Sequence, residues 1–113
     1  MSNLMHASRH YRAAAASRSL REQEADVFRR ATGALRAARS GTATDRVRAL
    51  ADNRMLWFAI RGLTTDTENR LGAPLRAELI SIALAVQREM DSVSPNFDLL
   101  IRINENVAAG LVE

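Results

Sequence analysis

Residues 74–90, PLRAELISIALAVQREM, constrain the fold more than any other stretch of this chain. Proline at the start suits the first turn of a helix, where its missing N–H costs little. At helical spacing, one side of this stretch carries Leu75, Leu79, Ile82, Ala83, Val86 and Met90. Ile80 and Leu84 fall on nearly the opposite side. A helix that is apolar on two sides is typically packed on two sides. We therefore expect residues 74–90 to form the central helix of a small all-α bundle.

Apolar spacing and capping residues predict further helices on both sides of this one, for a bundle of about five. A weak stripe predicts a first helix, frayed or mobile within residues 1–18: Leu4, Ala7, Tyr11, Ala14 and Ala15. Ser19 with Glu22 has the spacing of a capping box and predicts a second helix over about 20–39. Its predicted core side consists of Leu20, Val27, Phe28, Ala31, Leu35 and Ala38.

The C-terminal part of the chain continues the helical pattern. Thr42 with Asp45 repeats the capping spacing and opens a third helix that extends to about Leu63. Residues 64–73 are polar and predict a loop before the central helix. The last helix is predicted over about 97–109, with Gly110 as its C-cap.

Two asparagines lie in the middle of apolar faces. Asn53 falls among the apolar residues of the third helix, beside Trp57, and Asn104 falls at the centre of the apolar face of the last helix. Buried polar groups are normally paired, so we expect both amides to be structural. A contact from Asn53 to the backbone of a partner is the functional alternative. Pairing between Asn53 and Asn104 is a hypothesis.

Several apolar residues fall outside the predicted core faces. On the third helix they alternate with arginines, and on the last helix they widen the apolar face. Aromatic and Arg side chains dominate the energetics of protein interfaces. The candidate partner-binding residues are therefore Val47, Arg54, Met55, Phe58, Arg61, Leu99 and Ile103.

Composition indicates one globular domain spanning residues 1–113, with 47% apolar and 26% charged residues. The absence of cysteine excludes disulfides and thiol chemistry. No signal-peptide pattern is present, and no apolar run approaches the roughly 18 residues of a membrane span. We therefore expect a cytoplasmic protein.

No catalytic constellation is evident, so we expect a non-enzymatic interaction protein without a cofactor. His6 and His10 have the i, i+4 spacing of a metal-ligand pair, but no third ligand accompanies them.

Residues 1–48 contain ten Arg and four acids, while the whole chain has no Lys. This basic half could meet RNA or an acidic protein.

Three segments, in order, carry a resemblance to a known family. The first is the series Tyr11, Arg21, Glu24, Phe28, Thr32 and Leu35; the second is NRMLW at residues 53–57; the third combines LRAELISIALAV at 75–86 with LIRINENVAAGL at 100–111. Together they resemble the FlaF family of flagellar biosynthesis regulators of alphaproteobacteria. Val107 stands where that family usually has Ile, and Ala85 stands where a larger residue is usual.

This resemblance implies a helical protein that binds flagellin as a cytoplasmic export chaperone and supports flagellin synthesis and secretion. It also implies a functional link to FlbT, a regulator that restrains flagellin translation. The family pattern includes seven residues that we expect to be structural: Tyr11, Glu24, Phe28, Asn53, Trp57, Asn104 and Gly110.

The mechanism would be a helix-in-groove contact, because spare apolar residues could cover the amphipathic terminal helices of flagellin. The rival hypothesis is an RNA-binding regulator of flagellin mRNA translation that uses the Arg-rich half.

Overall fold

The computed structural model describes residues 25–65 and 72–112, which form four helices. The described part of α1 covers residues 25–38, and it is followed by α2 (Ala43–Thr65), α3 (Ala73–Met90) and α4 (Phe97–Val112). The predicted all-α fold class is confirmed. The predicted first helix within residues 1–18, the pair His6 and His10, Tyr11, Glu24 and the cap at Ser19 and Glu22 lie outside the described residues.

Contacts between the helices give an up-down-up-down order. Arg54 and Arg61 of α2 meet Asp91 and Gln87 respectively, so α3 runs antiparallel to α2. The ring of Phe28 packs edge-on against Trp57, with centroids 6.4 Å apart, and this contact joins α1 to α2. Arg36 and Arg39 of α1 pair with Glu105 and Asp98 of α4, which makes α1 and α4 antiparallel as well.

The core consists of one face from each helix. Its fully buried apolar members include Leu35, Val86 and Leu100. The remaining buried apolar residues of this cluster are Phe28, Ala31, Ala38, Ala49, Leu56, Trp57, Ile60, Ala83, Met90 and Ile101. The predicted core side of α1 is confirmed at Phe28, Ala31, Leu35 and Ala38. Val27 was predicted on that side but is 44% exposed, and Leu20 lies outside the described residues.

The prediction that α3 is packed on two sides is wrong. Leu79, Ala83, Val86 and Met90 are buried at the spacing of a single helix face. Ile80 and Leu84, on the other side, are 39% and 48% exposed. Apolar residues at helical spacing therefore mark two faces of α3, and the domain covers one of them.

Local side-chain contacts fix where α2 begins. The Thr42 backbone N–H donates to Asp45 Oδ2 at 3.0 Å, and the Asp45 N–H donates to Thr42 Oγ1 at 3.1 Å. This is the reciprocal capping box that the sequence predicted. A Cβ placed on Gly41 would lie 2.7 Å from the capping Asp45 Oδ2, so any side chain there would have to displace the capping carboxylate.

The ends of the other helices also follow from their residues. Pro74 lies in the first turn of α3, after Gly72 as N-cap. The side chain of Asn96 accepts from the Leu99 N–H at 3.1 Å and caps α4. The predicted C-cap at Gly110 is wrong, because α4 continues to Val112. Glycine costs only about 1 kcal/mol inside a helix, so Gly110 does not have to end one.

The capping box makes the stability of α2 depend on pH. The backbone N–H of Thr42, and then its hydroxyl, lower the pKa of the Asp45 carboxyl below its ordinary value of 3.8. A carboxyl group whose pKa is lower in the folded protein than in the unfolded chain stabilises the fold at every pH above its pKa in the unfolded chain. This stabilisation is lost as the pH falls through the pKa of the folded protein. We expect Asp45→Asn to lower stability at pH 7. In urea titrations, the difference in the free energy of unfolding between this variant and the native protein should shrink below pH 3.8. A difference that is constant with pH would contradict this role of the carboxylate.

Candidate protein-binding groove

A buried polar network joins α2, α3 and α4 beneath the candidate site. The indole Nε1 of Trp57 donates to Asn104 Oδ1 at 2.9 Å, and Asn104 Nδ2 donates to Asn53 Oδ1 at 2.7 Å. Asn53 Nδ2 in turn lies 3.4 Å from the Met90 sulfur. Both asparagines are fully buried. The hypothesis that they pair with each other is confirmed.

The chemistry of Trp57 fixes the direction of every bond in this network. An indole N–H is a donor and never an acceptor, so the Asn104 oxygen must face it. The amide nitrogen of Asn104 is then the group that faces Asn53, whose oxygen accepts. The remaining amide nitrogen of Asn53 faces Met90, a weak acceptor. Three helices are thereby held in one register around Trp57.

Trp57 and Met90 also form the floor of an open groove between α2 and α3. The groove has a volume of about 200 Å³. Its lining residues are Arg54, Trp57, Phe58, Arg61, Ala83, Gln87 and Met90. The groove thus has an apolar floor of buried residues and a wall formed by Phe58, whose side chain is largely exposed.

Two arginines of α2 border the groove and have different roles. Arg54 Nη1 pairs with Asp91 at 2.6 Å, and its Nη2 donates to the Met90 carbonyl at 3.1 Å. It therefore satisfies a carbonyl at the end of α3, where helices leave such groups unpaired. Arg61 lies 3.5 Å from the neutral Gln87 Oε1. Its guanidinium is exposed and can form an ion pair with an acidic group of a partner.

Three of the candidate binding residues form an exposed apolar stripe along α2. Val47, Met55 and Phe58 are 67%, 71% and 76% exposed. Positions 47, 55 and 58 lie on one side of the helix at about 100° per residue, opposite the buried face that carries Asn53. We call these three residues the α2 stripe. Together with Arg54 and Arg61 it places five of the seven candidates on the solvent side of α2.

The other two candidates are not part of this surface. Leu99 is half-buried, and Ile103 packs against the core as a partly buried residue. Both are less exposed than the α2 stripe. Their contact with a partner stays a prediction.

The contribution of α3 to the groove was not predicted from the sequence. Gln87 lines it, and Ile80 lies on the same flank because it precedes Gln87 by seven residues, about two turns. Leu84 lies one turn after Ile80 and about 40° farther round the helix, away from the groove. The second apolar side of α3 was the signal for this surface, but it was interpreted as buried.

These features define a small all-α bundle with an apolar groove between two of its helices. The chain matches the family model for the flagellar protein FlaF over residues 7–111, and it belongs to that family. It is therefore a flagellar protein. No curated protein and no solved structure matches the chain significantly.

No helix within residues 25–65 and 72–112 combines the length and the apolar character that crossing a bilayer requires.

Proposed function

We propose that this protein binds flagellin as a cytoplasmic export chaperone and thereby supports its synthesis and secretion. The observation that supports this proposal is the exposed ring of Phe58, which lines a groove with an apolar floor in a member of a flagellar family, while Val47 and Met55 are exposed on the same helix. Contiguous exposed apolar surface usually marks an interaction site. The terminal helices of flagellin are amphipathic and need their apolar sides covered before assembly. A groove between two helices suits such a client.

The alternative of RNA binding has less support from the described arginines. Arg36 and Arg39 form ion pairs with acids of α4. Arg46 donates to the carbonyls of Ala38 and Arg39 and lies over the ring of Phe97. Single-stranded nucleic acid usually stacks on exposed aromatic residues among such cations, but Phe28, the aromatic residue in the described part of the basic half, is buried. Among the described arginines of residues 1–48, Arg36, Arg39 and Arg46 thus hold helices together.

Phe58→Ala tests the proposed client contact. We expect flagellin to bind about 30-fold more weakly to this variant, as for a central aromatic residue of an interface. Isothermal titration calorimetry with purified full-length flagellin measures the change. The circular dichroism and the urea midpoint should stay unchanged, because the Phe58 side chain faces solvent.

The matched control is Val27→Ala, which also shortens a partly exposed apolar side chain but lies on α1. It should change the affinity for flagellin less than twofold, as expected of a residue outside the interface. A Phe58→Ala variant that binds flagellin as tightly as the native protein would remove the α2 stripe from the proposal.

Titration at several salt concentrations tests the RNA alternative, because log K for single strands falls by about 0.7 per phosphate contact for each log unit of salt.

A further inference from the structure

The solvent side of α2 carries small residues between the bulky residues of the α2 stripe. Ala51 and Gly62 are exposed on this side, and the resulting order along the helix is Val47, Ala51, Met55, Phe58 and Gly62. At about 100° per residue, these five positions span about 80° of the helix circumference. A Cβ built on Gly62 would meet no neighbouring atom within 4 Å. The face is therefore continuous and apolar, with open space above its small residues.

The order of bulky and small residues on this face is complementary to its own reverse. When the face is laid antiparallel on a copy of itself, Val47 falls opposite Gly62, and Phe58 falls opposite Ala51. Met55 lies at the centre and falls beside its own copy. A parallel pair would instead set Phe58 against Phe58 and Gly62 against Gly62, with crowding in one layer and a gap in the other. Because protein contacts are close-packed, the antiparallel arrangement is favoured.

The charged residues beside this face do not oppose such a pair. Arg54, the charged residue nearest its centre, is held by Asp91 and by the Met90 carbonyl of its own chain. Arg48 and Arg61 lie on opposite flanks of the face, about 140° apart around the helix. A two-fold axis between antiparallel helices brings equal flanks together, so these two arginines stay apart.

We propose that α2 packs antiparallel on α2 of a second copy of this chain, with the two-fold axis beside Met55. Each contact of such an interface occurs twice, so the Phe58 ring of each copy fills the space above Ala51 of the other. The paired stretch, residues 47–62, extends about 22 Å along the helix.

The area of this face predicts a weak dimer. Burying an aromatic side chain removes at most roughly 250 Å² from water. Three bulky side chains per copy therefore bring the buried area near the lower limit of stable complexes, roughly 1,200 Å². We expect a monomer–dimer equilibrium with a Kd of about 10–100 µM.

An exchange of the bulky and the small position tests the pairing. Sedimentation equilibrium of the full chain, at concentrations that span this Kd, measures the dimer. We expect Ala51→Phe and Phe58→Ala each to weaken it about tenfold or more, because each change acts in both copies. The double variant Ala51→Phe/Phe58→Ala should restore it to within about threefold, since a ring again faces an alanine. The control Ala85→Phe adds a ring to an exposed position of α3 and should leave the dimer unchanged.

These variants distinguish a specific interface from general association of apolar surface. General association would become stronger in Ala51→Phe, which adds apolar surface, and would not recover in the double variant. Either result would overturn the proposal, as would a native chain that stays monomeric at every concentration. Circular dichroism of each variant should match that of the native protein, because positions 51 and 58 are exposed.

A thiol cross-link tests the position of the two-fold axis directly. The chain has no cysteine, so Met55→Cys carries a single thiol. A disulfide requires Cα atoms about 4.4–6.8 Å apart, a distance that residues beside a two-fold axis can reach. We expect Met55→Cys to form a covalent dimer on mild oxidation, while Val93→Cys, at a fully exposed position after α3, stays monomeric. Equal yields from both variants would contradict the proposed axis.

This inference is independent of the proposed function, and the same samples separate the two. If the chain dimerises as expected but full-length flagellin does not bind, the dimer stands and the chaperone function fails. If flagellin binds a chain that is monomeric at every concentration, the chaperone function stands and this inference fails. If both hold, flagellin should dissociate the dimer, because both contacts use Phe58.

Discussion

Asn104→Ala should lower the free energy of unfolding by about 3 kcal/mol, because it leaves two buried polar groups without partners. The Trp57 indole N–H loses its acceptor, and the Asn53 oxygen loses its donor. A buried donor or acceptor without a partner costs about 1–3 kcal/mol. Urea denaturation followed by the fluorescence of Trp57 measures the loss. The control Asn106→Ala, on an exposed position of the same helix, should stay within about 0.5 kcal/mol of the native protein.

A double-mutant cycle shows whether the two amides act as a pair. Asn53→Ala alone should also destabilise the fold, since it removes the acceptor of the Asn104 amide. The double variant should lose less than the sum of the single variants, with a coupling energy of about 1–2 kcal/mol. Additive losses would mean that the 2.7 Å contact contributes nothing of its own.

The network explains why polar residues occupy the centre of this core. Apolar side chains can pack in several relative positions of two helices. A chain of directed hydrogen bonds can form in only one of these registers. A slide of α4 by one turn along α2 would separate Asn104 from both Trp57 and Asn53. We infer that the asparagines select the register of α2, α3 and α4, as single buried polar residues do in some helical assemblies.

Much of this arrangement could be predicted from the sequence. Helical periodicity identified the faces of α2 and α4, with Asn53 and Asn104 at their centres. Those faces could be recognised because each helix has one wide apolar side, and buried amides seek partners. The capping box at Thr42 and Asp45 was equally clear, since its geometry depends on four consecutive residues.

The error about α3 has a physical cause. Periodicity reveals which side chains share a face of a helix but not what lies against that face. Burying Ile80 and Leu84 would need a further helix beside them, and the described helices do not supply one. The apolar second side was a correct observation, and its assignment to the core was wrong.

The groove could be predicted only in part for the same reason. Arg54, Phe58 and Arg61 were identified from α2 alone, because they lie away from its core face. Gln87 and Ala83 entered the groove through the packing of α3 on α2, which no single-helix pattern contains. Leu99 and Ile103 are half-buried, and half-buried positions at the edge of a face resemble exposed ones in sequence.

Trp57→Ala should lower the free energy of unfolding by about 4 kcal/mol, the range found for large aromatic side chains removed from a core. Trp57 is 3% exposed, contacts the ring of Phe28 and donates to Asn104. Trp57→Phe separates these effects. It keeps a ring against Phe28 and removes the indole N–H, so we expect a smaller loss of about 1–2 kcal/mol. Because both variants lack the single tryptophan, urea unfolding is followed by far-UV circular dichroism.

Phe58→Ala is the matched comparison, because Phe58 is the next residue along the same helix. One step of about 100° around the helix moves the ring from the core to solvent, and Phe58 is 76% exposed. Its removal should change stability by less than about 0.5 kcal/mol while it weakens flagellin binding. The Trp57 variants should therefore show the largest loss of stability. Phe58→Ala should show the largest loss of flagellin binding without a loss of stability. Equal losses of stability in Trp57→Ala and Phe58→Ala would mean that both rings are core residues, and the groove would then lose its wall.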